Sequence, residues 1–378
     1  MTDRTPAVEA FHRSGVKAVL SITGGGSGLI GELLRVPGGS ASVLEAVVPY
    51  SERSLAAWLG ATPEGACCEE TALAMAARSF ERALTLGGAE SALGFGMTAS
   101  LASSRPKRGE HRVHVATQTM SGTAVRSVVF EKGRRTRAEE EDGCVDVGLS
   151  LLLEVFGIDH PATFTLSDTV RSDSSIADPL IAGLRGGDQA AVWWDSRRSD
   201  FTANGFDGVG LLSGSFNPPH VGHRELRRVA ADWLGGEVHY ELPVRNADKP
   251  PLDDIRLASR LADLDHHVAV TAADTFARKA AVLPGRVFVV GVDTAVRVLD
   301  PRYYPDGLDA ALAAVRDAGC RFLVAARVSD SGLLTLGDLA VPAMWRPLFE
   351  ELPADRFRED VSSTQLRAAR RTGESRSE

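Results

Sequence analysis

The residues between 208 and 230 constrain the fold of this chain more than any other stretch, and they read GVGLLSGSFNPPHVGHRELRRVA. A short apolar run from Val209 to Leu212 is followed by a loop of small residues and prolines, and a helical pattern begins near Val221. This order predicts a buried strand, a tight loop and the start of a helix. Two histidines, His220 and His223, stand where that helix would begin.

A helix that starts directly after a strand is suited to binding phosphate. Its first N–H groups have no partner within the helix, and the positive end of the helix dipole lies there. Gly214 and Gly222 let the backbone approach a ligand closely, because neither carries a Cβ. Imidazoles can donate hydrogen bonds to phosphate oxygens and can be charged near neutral pH. The stretch therefore predicts a phosphate site, and the alternative is a pair of histidines on a surface turn.

The run GSFNPPHVGH resembles the first motif of the HxGH nucleotidylyltransferase superfamily. The second motif of that superfamily, (I/V)SSTxxR, is matched by VSSTQLR at residues 361–367. The resemblance covers residues 205–372. It implies a Rossmann-like, doubly wound parallel sheet that transfers a nucleotide from ATP or CTP to a phosphorylated small-molecule acceptor, with Mg²⁺ as cofactor and release of pyrophosphate.

The same resemblance implies a set of site residues. Catalytic roles are expected for His220, His223, Lys249 and Arg367, although Lys249 could equally be an exposed surface lysine. Gly291 and Asp293 match the G-x-D of the family, whose aspartate lies by the ribose or the acceptor. We expect no metal site built by the protein itself. The nucleotide-binding residues are expected to be Gly214, Ser215, Phe216, Asn217, Gly222, Gly291, Asp293, Arg327, Ser362, Ser363 and Thr364.

The first half carries motifs of another kind: SITGG at residues 21–25, VPGGS at residues 36–40, and Tyr50 followed by a serine. They resemble the ESxTGG, VPGSS and YSNxxK motifs of the C-terminal domain family of the competence/damage-inducible protein CinA, the nicotinamide mononucleotide amidases. The resemblance implies an α/β domain whose serine, here Ser21, is the nucleophile and whose lysine activates it. The aligned position of that lysine is Leu55. The implied pocket residues are Ser21, Thr23, Gly24, Gly25, Tyr50 and Lys107.

The lost lysine leaves two interpretations of the first half. A serine hydroxyl is a poor nucleophile until a base takes its proton, so an intact amidase needs a substitute such as Lys107 or His111. Otherwise the domain is a binding or assembly module that has kept the pocket. A glycine-rich match to GxGxxG at residues 26–31 does not indicate a dinucleotide fingerprint, because VPGG at residues 36–39 ends the following helix too early.

A chain of 378 residues suits two domains. We expect a CinA-like domain at residues 1–158, a partly structured linker at 159–206 and a nucleotidylyltransferase domain at 207–378. The net charge of −8 argues against a general nucleic-acid binder. Four cysteines without metal spacing and the lack of a long apolar run predict a reduced, cytoplasmic protein that does not enter a membrane. We also expect a homo-oligomer.

Both resemblances imply enzymes that act on the same metabolite. The family that the first half resembles deamidates nicotinamide mononucleotide, and the family that the second half resembles adenylylates it. We therefore expect transfer of AMP from ATP to nicotinate or nicotinamide mononucleotide. Cytidylyl transfer to an alcohol phosphate and adenylyl transfer to phosphopantetheine remain alternatives of the same class. From another class, both halves could be non-catalytic nucleotide sensors. The complete HxGH and SSTxxR motifs speak against this for the second half, whereas Leu55 at the lysine position keeps it open for the first half.

Overall fold

The structure is a computed structural model that describes residues 3–104, 108–158, 168–329 and 332–359. The chain divides into two compact units. The first comprises Met1–Ala182 together with Asp248–Arg256, and the second comprises Gly183–Ala247 together with Leu257–Glu378. Within the described ranges, no helix is long and apolar enough to cross a bilayer. The boundaries expected at residues 158 and 206 stay predictions.

The described part of the first unit contains one six-stranded sheet. Its strands are β1 (Lys17–Thr23), β2 (Val43–Val47), β3 (Ala92–Ser100), β4 (His111–Gln118), β5 (Gly122–Phe130) and β6 (Thr169–Ile176). Their order is β2-β1-β3-β4-β5-β6, in which β1 is parallel to both of its neighbours and the other pairings are antiparallel. The carboxyl end of β1 leads directly into the glycine-rich loop at residues 24–28.

Helices cover the two faces of this sheet. They are α1 (Thr5–Arg13), α2 (Gly28–Arg35), α3 (Gly39–Ser42), α4 (Glu52–Leu59), α5 (Glu69–Gly87) and α6 (Arg137–Glu154). Helix α5 lies so close to β3 that a Cβ at Gly94 or Gly96 would come within 2.1 and 2.3 Å of its carbonyl oxygens. Residues of α1, α2 and α6 form the main apolar core with β1 and β3.

The second unit is built on a larger mixed sheet. Its strands are β7 (Ala191–Asp195), β8 (Asp200–Thr202), β9 (Gly210–Ser213), β10 (Val238–Pro243), β11 (Val268–Thr271), β12 (Val287–Gly291), β13 (Arg321–Ser329), β14 (Gly332–Leu334), β15 (Phe349–Leu352) and β16 (Arg358–Glu359). The remaining helices are α7 (Pro179–Gly186), α8 (Val221–Leu234), α9 (Asp254–Ala262), α10 (Phe276–Val282), α11 (Val292–Val298) and α12 (Leu308–Asp317).

Five parallel strands in the order β13-β12-β9-β10-β11 form the centre of this sheet. The chain runs from β9 outward through β10 to β11 and then returns to β12 on the other side of β9. With right-handed crossovers this reversal places helices on both faces. The carboxyl ends of β9 and β12 therefore flank the crevice where open α/β sheets bind ligands. The predicted α/β fold with two sheets is confirmed.

The stretch expected to be a linker contributes strands to both sheets. Strand β6 pairs with β5, β7 pairs antiparallel with β11, and β8 pairs with β7. Strand β6 was not expected, because its sequence TVRSDSSI lacks apolar alternation. It is an edge strand with nearly every residue exposed, so its polar side chains meet water on both faces. Trp193, which belongs to this stretch, is buried in the core of the second unit.

Candidate functional site

The candidate site lies at the carboxyl end of β9. Strand β9 ends at Ser213, the loop runs over residues 214–219, and α8 begins at Val221 with His220 as its N-cap. This is the strand, loop and helix order predicted from the sequence. Strand β12, which follows β10 and β11 in the chain, ends at Gly291. It lies beside β9, since Val289 is paired with Leu212. The site therefore occupies the crevice at which the strand order reverses.

The two histidines hold one another in place. The backbone N–H of His220 donates to Nδ1 of His223 across 3.1 Å, and the two ring centroids are 3.6 Å apart. Because Nδ1 of His223 accepts this bond, the proton of its neutral ring must be on Nε2. His223 is thereby fixed as a hydrogen-bond donor through Nε2. His220 is itself buried at the helix start.

The surroundings of both histidines favour the neutral form of the ring. Burial, the neighbouring His220 and the charge of Arg327 together lower the pKa of His223 to about 3. Burial and Arg327 also lower the pKa of His220. Both shifts favour the neutral imidazole, and the sequence-based expectation that these rings can be charged near neutral pH stays a prediction. Desolvation disfavours the imidazolium form of each ring.

Arg327 brings a permanent positive charge to this crevice. It lies on β13, and its Nη1 donates to Oδ2 of Asp293 across 2.5 Å. Asp293 stands in the first turn of α11, directly after Gly291, which is the N-cap of that helix. The effect of Arg327 on both histidine pKa values shows that its charge acts at the histidine pair. The structure thus brings His220, His223, Asp293 and Arg327 into one neighbourhood.

The loop between β9 and α8 is tightly built. Phe216 adopts a left-handed φ of 42°, and its ring is buried edge-on against Tyr240 and His223, each with centroids 5.1 Å away. A Cβ at Gly214 would come within 2.8 Å of the Phe216 ring, which explains the glycine. The N–H of Gly214 donates to the backbone oxygen of Glu241 on β10 across 3.1 Å. Asn217 is exposed on this loop.

Sequence reasoning missed two contributors to this site. Arg260 of α9 donates to the carbonyl oxygen of Ser215 across 2.8 Å. Oγ of Ser213 is buried at the end of β9 and has no hydrogen-bond partner among the described residues. Neither belongs to a motif, and only the folded strand and helix bring them to the loop.

The remaining predicted site residues lie in several parts of the chain. Ser362, Ser363, Thr364 and Arg367 lie outside the described residues, so their roles stay predictions. Lys249 lies in Asp248–Arg256, which groups with the first unit, whereas the histidines belong to the second. Gly222 is half-buried in the first turn of α8.

The first unit has a cavity of ≈ 500 Å³ at the carboxyl end of β1. Thr23, Gly24, Gly25 and Tyr50 line it, as the CinA resemblance implies. Arg137 and Glu141 of α6 also line it, and sequence reasoning missed both. Arg137 donates to the carbonyl oxygens of Gly24 and Ala102 at 3.0 and 3.1 Å, which fixes the glycine loop.

Ser21, the implied nucleophile, is not part of this cavity, and its assignment is corrected. The residue is fully buried on β1, where its hydroxyl donates towards the Phe95 carbonyl and accepts from Oγ of Ser79 across 2.9 Å. Packing of α5 on β1 covers it. Leu55, at the aligned lysine position, is buried with Leu59 and Met75 in an apolar cluster. Lys107 lies outside the described residues.

His111, the other possible base, does have a described partner. Its Nδ1 lies 2.7 Å from Oε1 of the fully buried Glu140, whose other oxygen accepts from the N–H of Ala102 across 2.6 Å. His111 is not among the residues that line the cavity. The pair therefore secures α6 to β4 and to the loop after β3.

Comparison with curated proteins finds relatives of part of this chain. A Schizosaccharomyces pombe protein provisionally named nicotinamide mononucleotide adenylyltransferase is 31% identical over 111 residues, which are 25% of this chain and 44% of that protein. A Mesorhizobium japonicum protein provisionally named nicotinate-nucleotide adenylyltransferase is 35% identical over 105 residues, 23% of this chain and 53% of that protein. The chain spans about half the length of the curated relatives it matches. The resemblance to nucleotide adenylyltransferases is confirmed.

Comparison with solved structures finds competence/damage-inducible proteins. One, named CihA, from Agrobacterium tumefaciens has 24% identity and a TM-score of 0.32, covering 40% of this chain and 92% of that one. Another, from Enterobacter asburiae, has 16% identity and a TM-score of 0.34, covering 41% of this chain and 99% of that one. These names are those of the family that the motifs of the first half resemble. No family model matches the chain.

Proposed function

We propose that this protein is a nucleotidylyltransferase that transfers AMP from ATP to nicotinate or nicotinamide mononucleotide and releases pyrophosphate. The observation that carries the proposal is the pair His220 and His223 at the start of α8, beside the charge of Arg327, in the crevice where the strand order reverses. Distant relatives named as adenylyltransferases support the same reaction class.

The chemistry requires positioning more than covalent catalysis. An oxygen of the acceptor phosphate attacks the α-phosphorus of ATP, the new P–O bond forms, and the bond from the α-phosphorus to the bridging oxygen breaks. The bridging oxygen leaves with its electron pair as part of pyrophosphate. His223 donates from Nε2 to the phosphate oxygens on which negative charge accumulates, and no reorganisation is needed because Nδ1 already anchors the ring. Arg327 neutralises further phosphate charge.

The described residues fit a Mg²⁺ ion that arrives bound to the triphosphate. No group of three or more histidine, cysteine, aspartate or glutamate side chains suited to a metal is found among them. Mg²⁺ prefers phosphate oxygens and water and needs few protein ligands. Asp293 is a carboxylate of this crevice that could contact the ion. The ion would supply charge neutralisation between the phosphates.

For the first unit we propose ligand binding rather than amide hydrolysis. Ser21 is buried and bonded within the sheet, and a leucine packed in the core stands where the activating lysine would be. The cavity itself persists, with Tyr50, Arg137 and the glycine loop on its walls. A binding pocket without its nucleophile suits a module that recognises a small polar molecule.

The transferase proposal is tested by following pyrophosphate release with Mg²⁺, each nucleoside triphosphate in turn and a panel of phosphorylated acceptors. We expect the highest rate with ATP and a nicotinate or nicotinamide mononucleotide, and a dinucleotide product by mass spectrometry. A preference for CTP with an alcohol phosphate, or for phosphopantetheine, would establish one of the alternatives instead. Nucleotide binding without any turnover would identify a sensor.

A further inference from the structure

Arg260 contacts the loop between β9 and α8, and the proposed mechanism assigns it no role. Its guanidinium reaches from the last turn of α9 and donates from Nη1 to the carbonyl oxygen of Ser215 across 2.8 Å. Both residues belong to the second unit. A hydrogen bond from a charged donor is stronger than one from a neutral donor.

The loop needs such an external contact, because its backbone is not in a conformation that its own sequence prefers. Phe216 adopts a left-handed φ of 42°, which is unfavourable for a residue with a Cβ. Burial of its ring against Tyr240 and His223 fixes the side chain. That packing does not by itself fix the direction of the preceding peptide group.

The peptide group between Ser215 and Phe216 is planar, so its carbonyl and its N–H point in opposite directions. With the carbonyl of Ser215 held by Arg260, the N–H of Phe216 faces away from that guanidinium. Flipping this peptide would exchange the two groups. An anionic ligand would then meet a carbonyl oxygen, which repels it, instead of an N–H, which binds it.

We propose that Arg260 is a positioning residue that locks the Ser215–Phe216 peptide so that the N–H of Phe216 is presented to a phosphate of the nucleotide. This inference rests on the proposed function, because it assigns a phosphate to the crevice. Arg260 acts through the loop backbone and not by contact with the reacting atoms. The specificity it supplies is for phosphate over a neutral or cationic group at this position.

The test uses the full chain with Arg260→Met, which removes the donor but keeps much of the side-chain volume, and Arg260→Lys, which restores a charged donor. Arg228→Met is the matched control, because Arg228 is an exposed arginine of α8 that pairs with Glu225 and Asp232 away from the loop. The probes are inorganic pyrophosphate and α,β-methylene ATP, with affinities measured by calorimetry. Proteins labelled with ¹⁵N-phenylalanine report the amide of Phe216.

In the unmodified chain, pyrophosphate should shift the Phe216 amide proton downfield, as expected for a new bond to an anion. Arg260→Met should bind both probes about 10- to 100-fold more weakly and lose that shift, Arg260→Lys should recover part of each, and Arg228→Met should behave like the unmodified chain. Equal binding and an unchanged Phe216 shift in Arg260→Met would overturn the inference. Failure of the unmodified chain to bind either probe would instead refute the proposed function.

Discussion

The backbone N–H of His220 and Nδ1 of His223 are joined by a 3.1 Å hydrogen bond at the start of α8. This hydrogen bond has two effects. It satisfies an N–H at the helix start, and it forces the neutral ring to carry its proton on Nε2. Nε2 of His223 is therefore set as a hydrogen-bond donor before any ligand binds.

Binding of a phosphate anion should draw a proton onto His220. Burial and the charge of Arg327 hold the pKa of this ring below 6.5 in the free protein, and a bound anion raises it. Between the two pKa values, binding must be accompanied by proton uptake. Calorimetric titration with pyrophosphate at pH 6, in buffers of different ionisation enthalpy, measures it. We expect more uptake by the unmodified chain than by His220→Gln, and equal values would contradict this account.

Asp293→Asn should strengthen the binding of pyrophosphate. The carboxylate of Asp293 now neutralises Arg327 at 2.5 Å and places a negative charge near the phosphate crevice. Since both side chains are partly exposed, the pair is worth about 0.5–1 kcal/mol, so the Kd should fall about 2- to 5-fold. Asp300→Asn, which alters the exposed pair with Arg302, serves as the control. Weaker binding in Asp293→Asn would show that the carboxylate, not Arg327, organises this side of the crevice.

The second unit should lose stability in mild acid through a cluster of three histidines at the start of β10 and β11. Burial lowers the pKa of His239, His266 and His267, that of His266 to about 4. The unfolded chain titrates near 6.5, so it binds more protons below that pH. The stabilising contribution is full above pH 6.5 and is lost as the pH falls towards 4.

Each of these rings meets charged neighbours as well as apolar ones. His239 donates to the Asp207 carbonyl and lies near Arg286. His266 contacts Glu237 and lies near Arg227. His267 faces Asp195 and Arg197. For His266, we expect the free energy of unfolding to fall by on the order of 1 kcal/mol between pH 7 and pH 5. Urea unfolding at both pH values should show a smaller loss for His266→Gln. An unchanged pH dependence in that variant would refute the assignment.

Ser21→Ala should destabilise the first unit. We expect no amidase activity from either the unmodified chain or the variant. The substitution leaves Oγ of Ser79 without its buried acceptor, at a cost of about 1–3 kcal/mol. Thermal unfolding measures the loss, and ammonia release from nicotinamide mononucleotide tests for hydrolysis. If the unmodified chain released ammonia and a folded Ser21→Ala variant did not, Ser21 would be the nucleophile of an active amidase.

The sequence predicted the parts of the fold that local patterns determine. The strand, loop and helix around His220 follow from an apolar run, a Gly-Pro loop and helical periodicity, and the structure has each of them. Strand β6 could not be predicted, because an exposed edge strand such as TVRSDSSI carries no apolar alternation. Its pairing with β5 depends on the partner strand and not on its own side chains.

The candidate site was predictable only in so far as it lies in motifs. Thr23 and Gly24 were placed by their motif, whereas Arg137 and Glu141 reach the same cavity from a helix more than a hundred residues later in the chain. Likewise, no local pattern shows that α5 covers Ser21 or that Arg260 meets the loop after β9. Such contacts arise from tertiary packing between residues that are distant in the chain, so no short stretch of the sequence predicts them.

The most direct test of the transferase account compares His223→Ala with Val221→Ala, a control on the same helix turn whose side chain is 68% exposed. Pyrophosphate release from ATP and nicotinamide mononucleotide should fall about 10²–10³-fold in kcat/KM for His223→Ala, the usual cost of removing one preorganised donor. Both variants should keep a cooperative thermal transition, and Val221→Ala should keep its activity. Normal turnover by a folded His223→Ala protein would contradict the account.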